Sequence, residues 1–262
     1  MLTRDTFTGR FGRRVVFGMV HLLPLPGSPL FGGSIDEVIE AAVTDATALG
    51  DGGCDGIVVE NFGDRPFFAT VVPPETIAAM TRIVTEVAKT FTAAIGVNVL
   101  RNDPHAALAV AAATGAAFIR VNVHTGAMVT DQGIIEGAAA ATLRLRASLA
   151  PSVAIFADHL VKHAVPLAAA DPTQMAKDLR LRGLADAVII TGSETGAAAD
   201  PERLKLVRDA IDAPLLIGSG LTVANARSFS LADGAIVGTS VKGENGMVDA
   251  RRVAAVVRAF KS

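Results

Sequence analysis

The stretch Pro214–Ser240, PLLIGSGLTVANARSFSLADGAIVGTS, decides the fold. Leu215, Leu216 and Ile217 form a short apolar run that stops at Gly218-Ser219-Gly220. Ala235, Ile236 and Val237 form a second run that stops at Gly238-Thr239-Ser240. Short continuous apolar runs without alternation suit strands buried on both faces of a parallel sheet. Each turn combines glycine with hydroxyl residues. Glycine lets a backbone N–H come close to an anion, and the start of a helix adds partial positive charge. Two such turns ending neighbouring strands can cradle one phosphate through Gly218, Ser219, Gly220, Gly238 and Thr239. The plainer reading is a pair of ordinary turns between strand and helix.

Working outward, the same pattern recurs along the chain. Strand-like runs occupy Val15–Val20, Gly56–Glu60, Ala94–Val99, Phe118–Val123, Ser152–Ala157, Ala187–Thr191, Pro214–Ile217 and Gly234–Val237. Helical segments are expected between them, at Ile35–Leu49, Glu75–Thr90, Pro104–Thr114, Ile134–Leu149 and Pro172–Leu184. Apolar strands alternating with helices predict a parallel sheet. Eight such units in 262 residues predict a single (β/α)8 TIM barrel spanning the whole chain. A doubly wound open sheet is the alternative, but no GxGxxG follows the first strand, where His21-Leu22-Leu23-Pro24 stands instead. Met1–Arg14 is expected to be a lead-in segment capping the barrel bottom. In this fold the loops after the strands build the functional face. Those are the long ones here (21–33, 61–73, 124–133 and 159–171).

Composition narrows the function. Half of the residues are hydrophobic and 19% are charged, which is a globular, interior-rich chain. No apolar run approaches the roughly 18 residues of a membrane helix. Thr3–Arg14 is polar and basic, unlike a secretory signal. Cys54 is the only cysteine, so no disulfide forms within the chain, and a reducing cytoplasm is the expected setting. With 24 basic against 26 acidic residues the net charge is −2, which gives nucleic-acid binding no electrostatic support.

Polar residues occur where a barrel interior should be apolar. Residues two apart share a strand face. In Phe118–His124, FIRVNVH, that places Arg120, Asn122 and His124 together, expected to point inward. Glu60, Asn98 and Asp158 stand at the upper ends of other strands. Buried Arg and Asn are costly without partners, so these five inward groups, Glu60, Asn98, Arg120, Asn122 and Asp158, are expected to form one network. A structural polar layer is one reading. A site that orients hydroxyls and moves protons is the other, favoured by position. Lys162 follows the fifth strand, and in a low-dielectric site it would act as a base or form a Schiff base. His21, His124 and Asp131 are candidate substrate contacts. The run Thr191–Gly196, TGSETG, adds Gly192 and Ser193 to the phosphate candidates. Histidines 21, 124, 159 and 163 with Asp158 or Glu60 supply ligand types for a divalent metal, yet no spacing signature supports one, and no cofactor is predicted. His159 and His163 are read as loop residues, and Thr130 or Asp131 as the cap of the helix from Ile134. The loop after strand two carries Phe62, Phe67 and Phe68 beside Asp64 and Arg65 and reads as a lid or a subunit contact.

These stretches resemble the BtpA/SgcQ family over almost the whole chain. The similarity lies in GMVHLLPLPGSP (18–29), DGIVVENFGDRPF (55–67), GVNVLRND (96–103), FIRVNVHTGAMVTDQGII (118–135), DHLVKHAVPL (158–167), ADAVIITGSETG (185–196), GSGLT (218–222) and DGAIVGTSVK (233–242). His159 departs from the pattern, where a smaller or apolar residue is expected. The resemblance implies a TIM barrel of the ribulose-phosphate-binding type. One branch of that family is linked to photosystem I assembly or stability. The other sits among sugar-utilisation genes and is described as nucleosidase-like. Two readings follow: an enzyme on a phosphorylated sugar or ribosyl compound (by aldol cleavage, isomerisation or N-glycosidic hydrolysis), or a non-catalytic assembly factor. A homo-oligomer is the expected assembly, with no interface legible in the sequence.

Overall fold

The structure, a computed structural model, describes every residue from 1 to 262 except 170 and 193. Eight parallel strands close into the expected barrel: β1 (Val15–His21), β2 (Gly56–Glu60), β3 (Ala94–Asn98), β4 (Phe118–Val121), β7 (Ala154–His159), β9 (Ala187–Ile190), β10 (Leu215–Ile217) and β11 (Gly234–Val237). They neighbour one another in chain order, and β11 returns to β1 with Gly18 opposite Val237. Helices α2 (Ile35–Asp51), α3 (Pro74–Val87), α4 (Pro104–Thr114), α5 (Ala139–Leu149), α6 (Pro172–Lys177), α7 (Pro201–Ala210) and α8 (Ala250–Lys261) pack outside. The crossover after β10 holds only a 3₁₀ turn, Ala226–Phe229.

Helix α1 (Arg4–Phe11) closes the bottom. Thr3 caps it in a reciprocal capping box with Thr6. The Leu2 amide donates to Asp186 (3.0 Å) and Arg4 pairs with Asp233 (2.9 Å), which ties the segment to the barrel rim. Its apolar residues Phe7 and Phe11 enter the barrel among Phe17, Phe118 and Phe156. Phe118 and Phe156 stack at 4.3 Å between centroids, and Phe11 meets Phe118 edge-on at 5.9 Å. These are the favoured aromatic geometries. Gly96 leaves the room they need, because a Cβ there would lie 2.2 Å from the Phe118 ring. The lower barrel is thus packed, and only its upper end is open to chemistry.

The upper face departs from the sequence reading in three places. Residues expected to begin a helix at Ile134 form an antiparallel hairpin instead, β5 (Ala127–Thr130) and β6 (Gly133–Glu136), with β8 (Ala164–Pro166) on the other side of β5. Thr130 and Asp131 therefore belong to a hairpin turn and cap no helix. The Thr130 hydroxyl donates to the Gly133 carbonyl (2.9 Å) and Gly133 takes φ 98°, open to glycine without strain. Second, the helix expected over Pro172–Leu184 changes to a π turn at Asp178–Arg182. Third, His159 closes strand β7 and is no loop residue.

Candidate active site

A cavity of about 540 Å³ opens at the C-terminal ends of the barrel strands. Its floor is set by register. In the parallel ladders His21 lies opposite Glu60, Glu60 opposite Asn98, and Asn98 opposite Arg120, so four polar residues share one level. The Asp158 carboxylate accepts from Arg120 Nε (3.1 Å) and Nη2 (3.0 Å) and from Asn122 Nδ2 (2.9 Å). Asn98 Nδ2 donates to the Arg120 carbonyl and to Asn122 Oδ1, both at 3.1 Å. The expected network of inward groups therefore forms, and a buried bidentate pair with further hydrogen bonds is the arrangement in which such charges are tolerated.

This network corrects one role. The Asp158 side chain is fully shielded (0% exposed), and its oxygens are taken by Arg120 and Asn122. It holds Arg120 and has no path to a substrate proton. Asn98 likewise sits beneath the cavity, whereas Arg120, Asn122 and Glu60 border it.

Glu60 faces His21, with Oε1 3.6 Å from Nε2, and the imidazole packs on the Phe62 ring at 4.5 Å. Burial pushes the Glu60 carboxyl up, against the pull of Arg120 and Lys162. A carboxylate neighbour ordinarily raises a histidine. Here burial, with Lys242, Lys162 and Arg120 adding to it, drives His21 down to about 3. Both effects favour the uncharged pair, a protonated carboxyl beside a neutral imidazole. Lys162 borders the same cavity, and burial together with Arg120 lowers it to about 8.

His124 corrects a second expectation. Strand β4 ends at Val121, so the alternation that brings Arg120 and Asn122 inward no longer governs residue 124. Its Nε2 lies 2.8 Å from the Gly183 carbonyl, outside the cavity. His159 points away from the barrel interior to the Pro172 carbonyl (2.9 Å). Asp131 reaches the cavity from the tip of the β5–β6 hairpin.

The glycine turns divide. The Gly192 amide donates to Ser219 Oγ (2.7 Å), and the Gly218 amide donates to the Ile190 carbonyl (2.8 Å). Both amides are thus engaged inside the protein, which removes them as phosphate donors. Ser219 Oγ receives the Gly192 bond and keeps its own proton to donate. The amides of Gly220 and Thr239 make no hydrogen bond among the described residues, and both residues border the cavity with Gly238. Asn225 holds the first turn by donating to the Gly220 carbonyl (2.8 Å) and accepting from the Thr222 amide (2.8 Å). Ser193 lies outside the described residues.

Sequence reasoning missed Arg101, took His163 only as a loop residue and possible metal ligand, and took Thr195 only as part of the TGSETG run. Arg101 borders the cavity and donates through Nη2 to the Lys162 carbonyl, bridging the loops after β3 and β7. His163 Nε2 meets Thr195 Oγ1 at 3.2 Å across the mouth. A basic residue three positions past a buried strand, as in GVNVLRND, was the signal available for Arg101. Among the described residues no three His, Cys, Asp or Glu side chains converge as metal ligands do.

Eight parallel strands around a plugged core, with a polar cavity at their C-terminal ends, define a (β/α)8-barrel protein whose cavity lies where that fold carries its chemistry. The chain belongs to the BtpA family, whose model matches residues 12–262. It is 48% identical over 250 residues to the photosystem I biogenesis protein BtpA of Synechocystis sp., covering 94% of this chain and 87% of that one. An uncharacterized protein of Archaeoglobus fulgidus is 45% identical, covering 95% of this chain and 99% of its own. Among solved structures, thiamine phosphate pyrophosphorylase from Pyrococcus furiosus superposes with a TM-score of 0.61 at 14% identity, over 96% of this chain and 97% of that one. KGPDC from Streptococcus mutans gives 0.58 at 14%, over 95% and 98%. At such identities the likeness speaks for the barrel alone. No helix of the described residues is long and apolar enough to cross a membrane.

Proposed function

We propose that this protein is an enzyme that performs proton-transfer chemistry on a phosphorylated sugar or ribosyl compound. The observation that carries the reading is the meeting, in one cavity, of a lysine lowered to about 8, a buried Glu60–His21 pair and open amides at the glycine turns after β10 and β11. In this reading the phosphate takes the amides of Gly220 and Thr239 and the hydroxyl proton of Ser219. Arg120, fixed by Asp158, and Asn122 orient hydroxyls. Lys162 is deprotonated often enough near neutral pH to accept a proton or attack a carbonyl. Glu60, whose carboxyl is held towards its protonated form by burial, can donate to the carbonyl oxygen or glycosidic nitrogen of the reacting bond and be refilled through His21. Aldol cleavage, isomerisation and N-glycosidic hydrolysis share these requirements. The solved barrels named for phosphorylated compounds agree with the substrate class, at the level of fold.

Incubation with a panel of phosphorylated aldoses, ketoses and ribosyl compounds tests this, with products followed by NMR. Turnover that falls at least about a hundredfold in Glu60→Gln is expected, the scale of a general acid–base group. Borohydride trapping of substrate on wild-type but not on Lys162→Ala protein would separate Schiff-base chemistry from the rest. A folded protein that transforms none of the panel would count against the enzyme.

One observation favours a second reading. The Synechocystis relative at 48% identity is named a photosystem I biogenesis protein. An assembly factor of that kind would keep its role when Glu60 or Lys162 is replaced. The costly burial of Arg120, Asp158 and Glu60 gives a scaffold no evident benefit, which tilts the balance to catalysis.

A further inference from the structure

We infer that the cavity is shaped for a substrate charged at both ends, with Arg101 and Arg65 receiving a second anionic group opposite the phosphate turns. The inference rests on the phosphate reading above and extends it to the far side of the barrel.

Arg101 is 7% exposed, yet it forms no ion pair among the described residues, and the one hydrogen bond of its side chain goes to the Lys162 carbonyl. Burial lowers its pKa, the mark of a cation held without enough compensation. Asp158, Asp131 and Glu60 attract it from a distance, but Asp158 is committed to Arg120 and Glu60 is pushed towards its neutral form. A guanidinium carries five N–H donors in a rigid fork. Most of the Arg101 fork is free, and the side chain borders the cavity. Leaving a buried cation in that condition is expensive unless a ligand completes it. Arg65 also borders the cavity, lies 5.5 Å from the Phe62 ring centroid, and has no carboxylate partner among the described residues.

Topology places Arg101 across from the Gly220 turn, whereas Arg65, on the neighbouring loop after β2, lies beside Arg101 and only two strands from β11. In the closed order β1-β2-β3-β4-β7-β9-β10-β11, the strand diametrically opposite β3 is β10. Arg101 follows β3 and Arg65 follows β2, whereas Gly220 follows β10 and Thr239 follows β11. A phosphate on the turns leaves the forks of Arg101 and Arg65 unanswered. A carboxylate or second phosphate at the other end of the same molecule would answer them, since planar bidentate pairing suits both. The cavity volume of about 540 Å³ is of the size that holds such a molecule whole.

Matched ligands test this by calorimetry: ribulose 1,5-bisphosphate against ribulose 5-phosphate, and 6-phosphogluconate against glucose 6-phosphate. Wild-type protein should bind the doubly charged member of at least one pair about tenfold or more tightly; the pair that shows the preference identifies the second anion as phosphate or carboxylate. Arg101→Gln should abolish that preference while changing the singly charged affinity by no more than about threefold. Thr239→Glu should weaken both members. Arg65→Gln, on an exposed loop residue that spares the fold, should cut the preference several-fold and decides the matter if the Arg101 variant unfolds. Singly charged ligands that bind as well as doubly charged ones to wild-type protein overturn the second subsite and leave the phosphate reading standing. No binding of any phosphorylated compound overturns both.

Discussion

An ammonium stripped of part of its water beside a guanidinium gives up its proton more readily than one in solution. Lys162 is held in this way near 8. Its labelling by trinitrobenzenesulfonate should therefore rise through a midpoint near pH 8, and a midpoint near 10 would remove it as a base. Glu60 has the opposite imbalance. Its folded pKa is raised, so ionising it in place costs stability, and that cost appears as pH climbs from about 4.5 towards the folded value. Glu60→Gln should match or exceed wild-type melting temperature at pH 8 while losing turnover, the usual conflict between a tuned group and stability. Asp158→Asn is expected to do the reverse, costing about 3–5 kcal/mol by leaving Arg120 as an uncompensated buried charge, measured by urea unfolding.

At the scale of elements, the lead-in helix and the two glycine turns invite direct tests. Phe11 sits inside the barrel against Phe118 and Phe156, so Phe11→Ala should cost about 3–5 kcal/mol of unfolding free energy. Gly133 and Gly220 both have positive φ, but an added Cβ meets nothing at Gly133 and lies 2.3 Å from the Ala198 backbone at Gly220. Ala at 133 should cost about 1 kcal/mol from conformation alone, and Ala at 220 clearly more in the same urea series. These elements also show where sequence suffices and where it stops. The eight strands were legible because each is a short apolar run bounded by turn residues; Arg120 and Asn122 followed from period-two alternation along FIRVNVH, and Glu60, Asn98 and Asp158 from their place at the upper ends of other strands. Alternation failed at His124, one turn of chain beyond the end of β4, because the rule lapses with the strand. The β5–β6 hairpin was hidden because TDQGII also suits a capped helix, and its pairing with β8 is a contact between distant segments. Arg101 escaped notice because only the assembled ring shows that no carboxylate comes to meet it.

Over the whole molecule, two buried histidines, His124 and His159, and His21 at the cavity floor are held below their ordinary range, chiefly by desolvation. The unfolded chain takes up protons at these positions below about pH 6.5 and the folded chain does not, so stability present above that pH is lost as pH falls, for His21 down to about 3. Glu60 acts in the opposite sense over this range, so melting temperature should fall from pH 7 to pH 4 more steeply in Glu60→Gln than in wild-type protein, and a flat profile in that variant would mean that the histidines are not buried as described.

In the proposed function the turns after β10 and β11 hold the phosphate of a small substrate. Thermal unfolding with and without phosphosugars, ribonucleotides and inorganic phosphate addresses it most directly, repeated on Thr239→Glu, which places a negative charge at the turn on an exposed side chain. A ligand at about 100 times its dissociation constant adds roughly 2.7 kcal/mol, a rise of about 5–10 °C for a chain of this size. That shift is expected for at least one phosphorylated compound, and its loss in Thr239→Glu. No shift with any of them in a well-folded protein, or an equal shift in the variant, would contradict it.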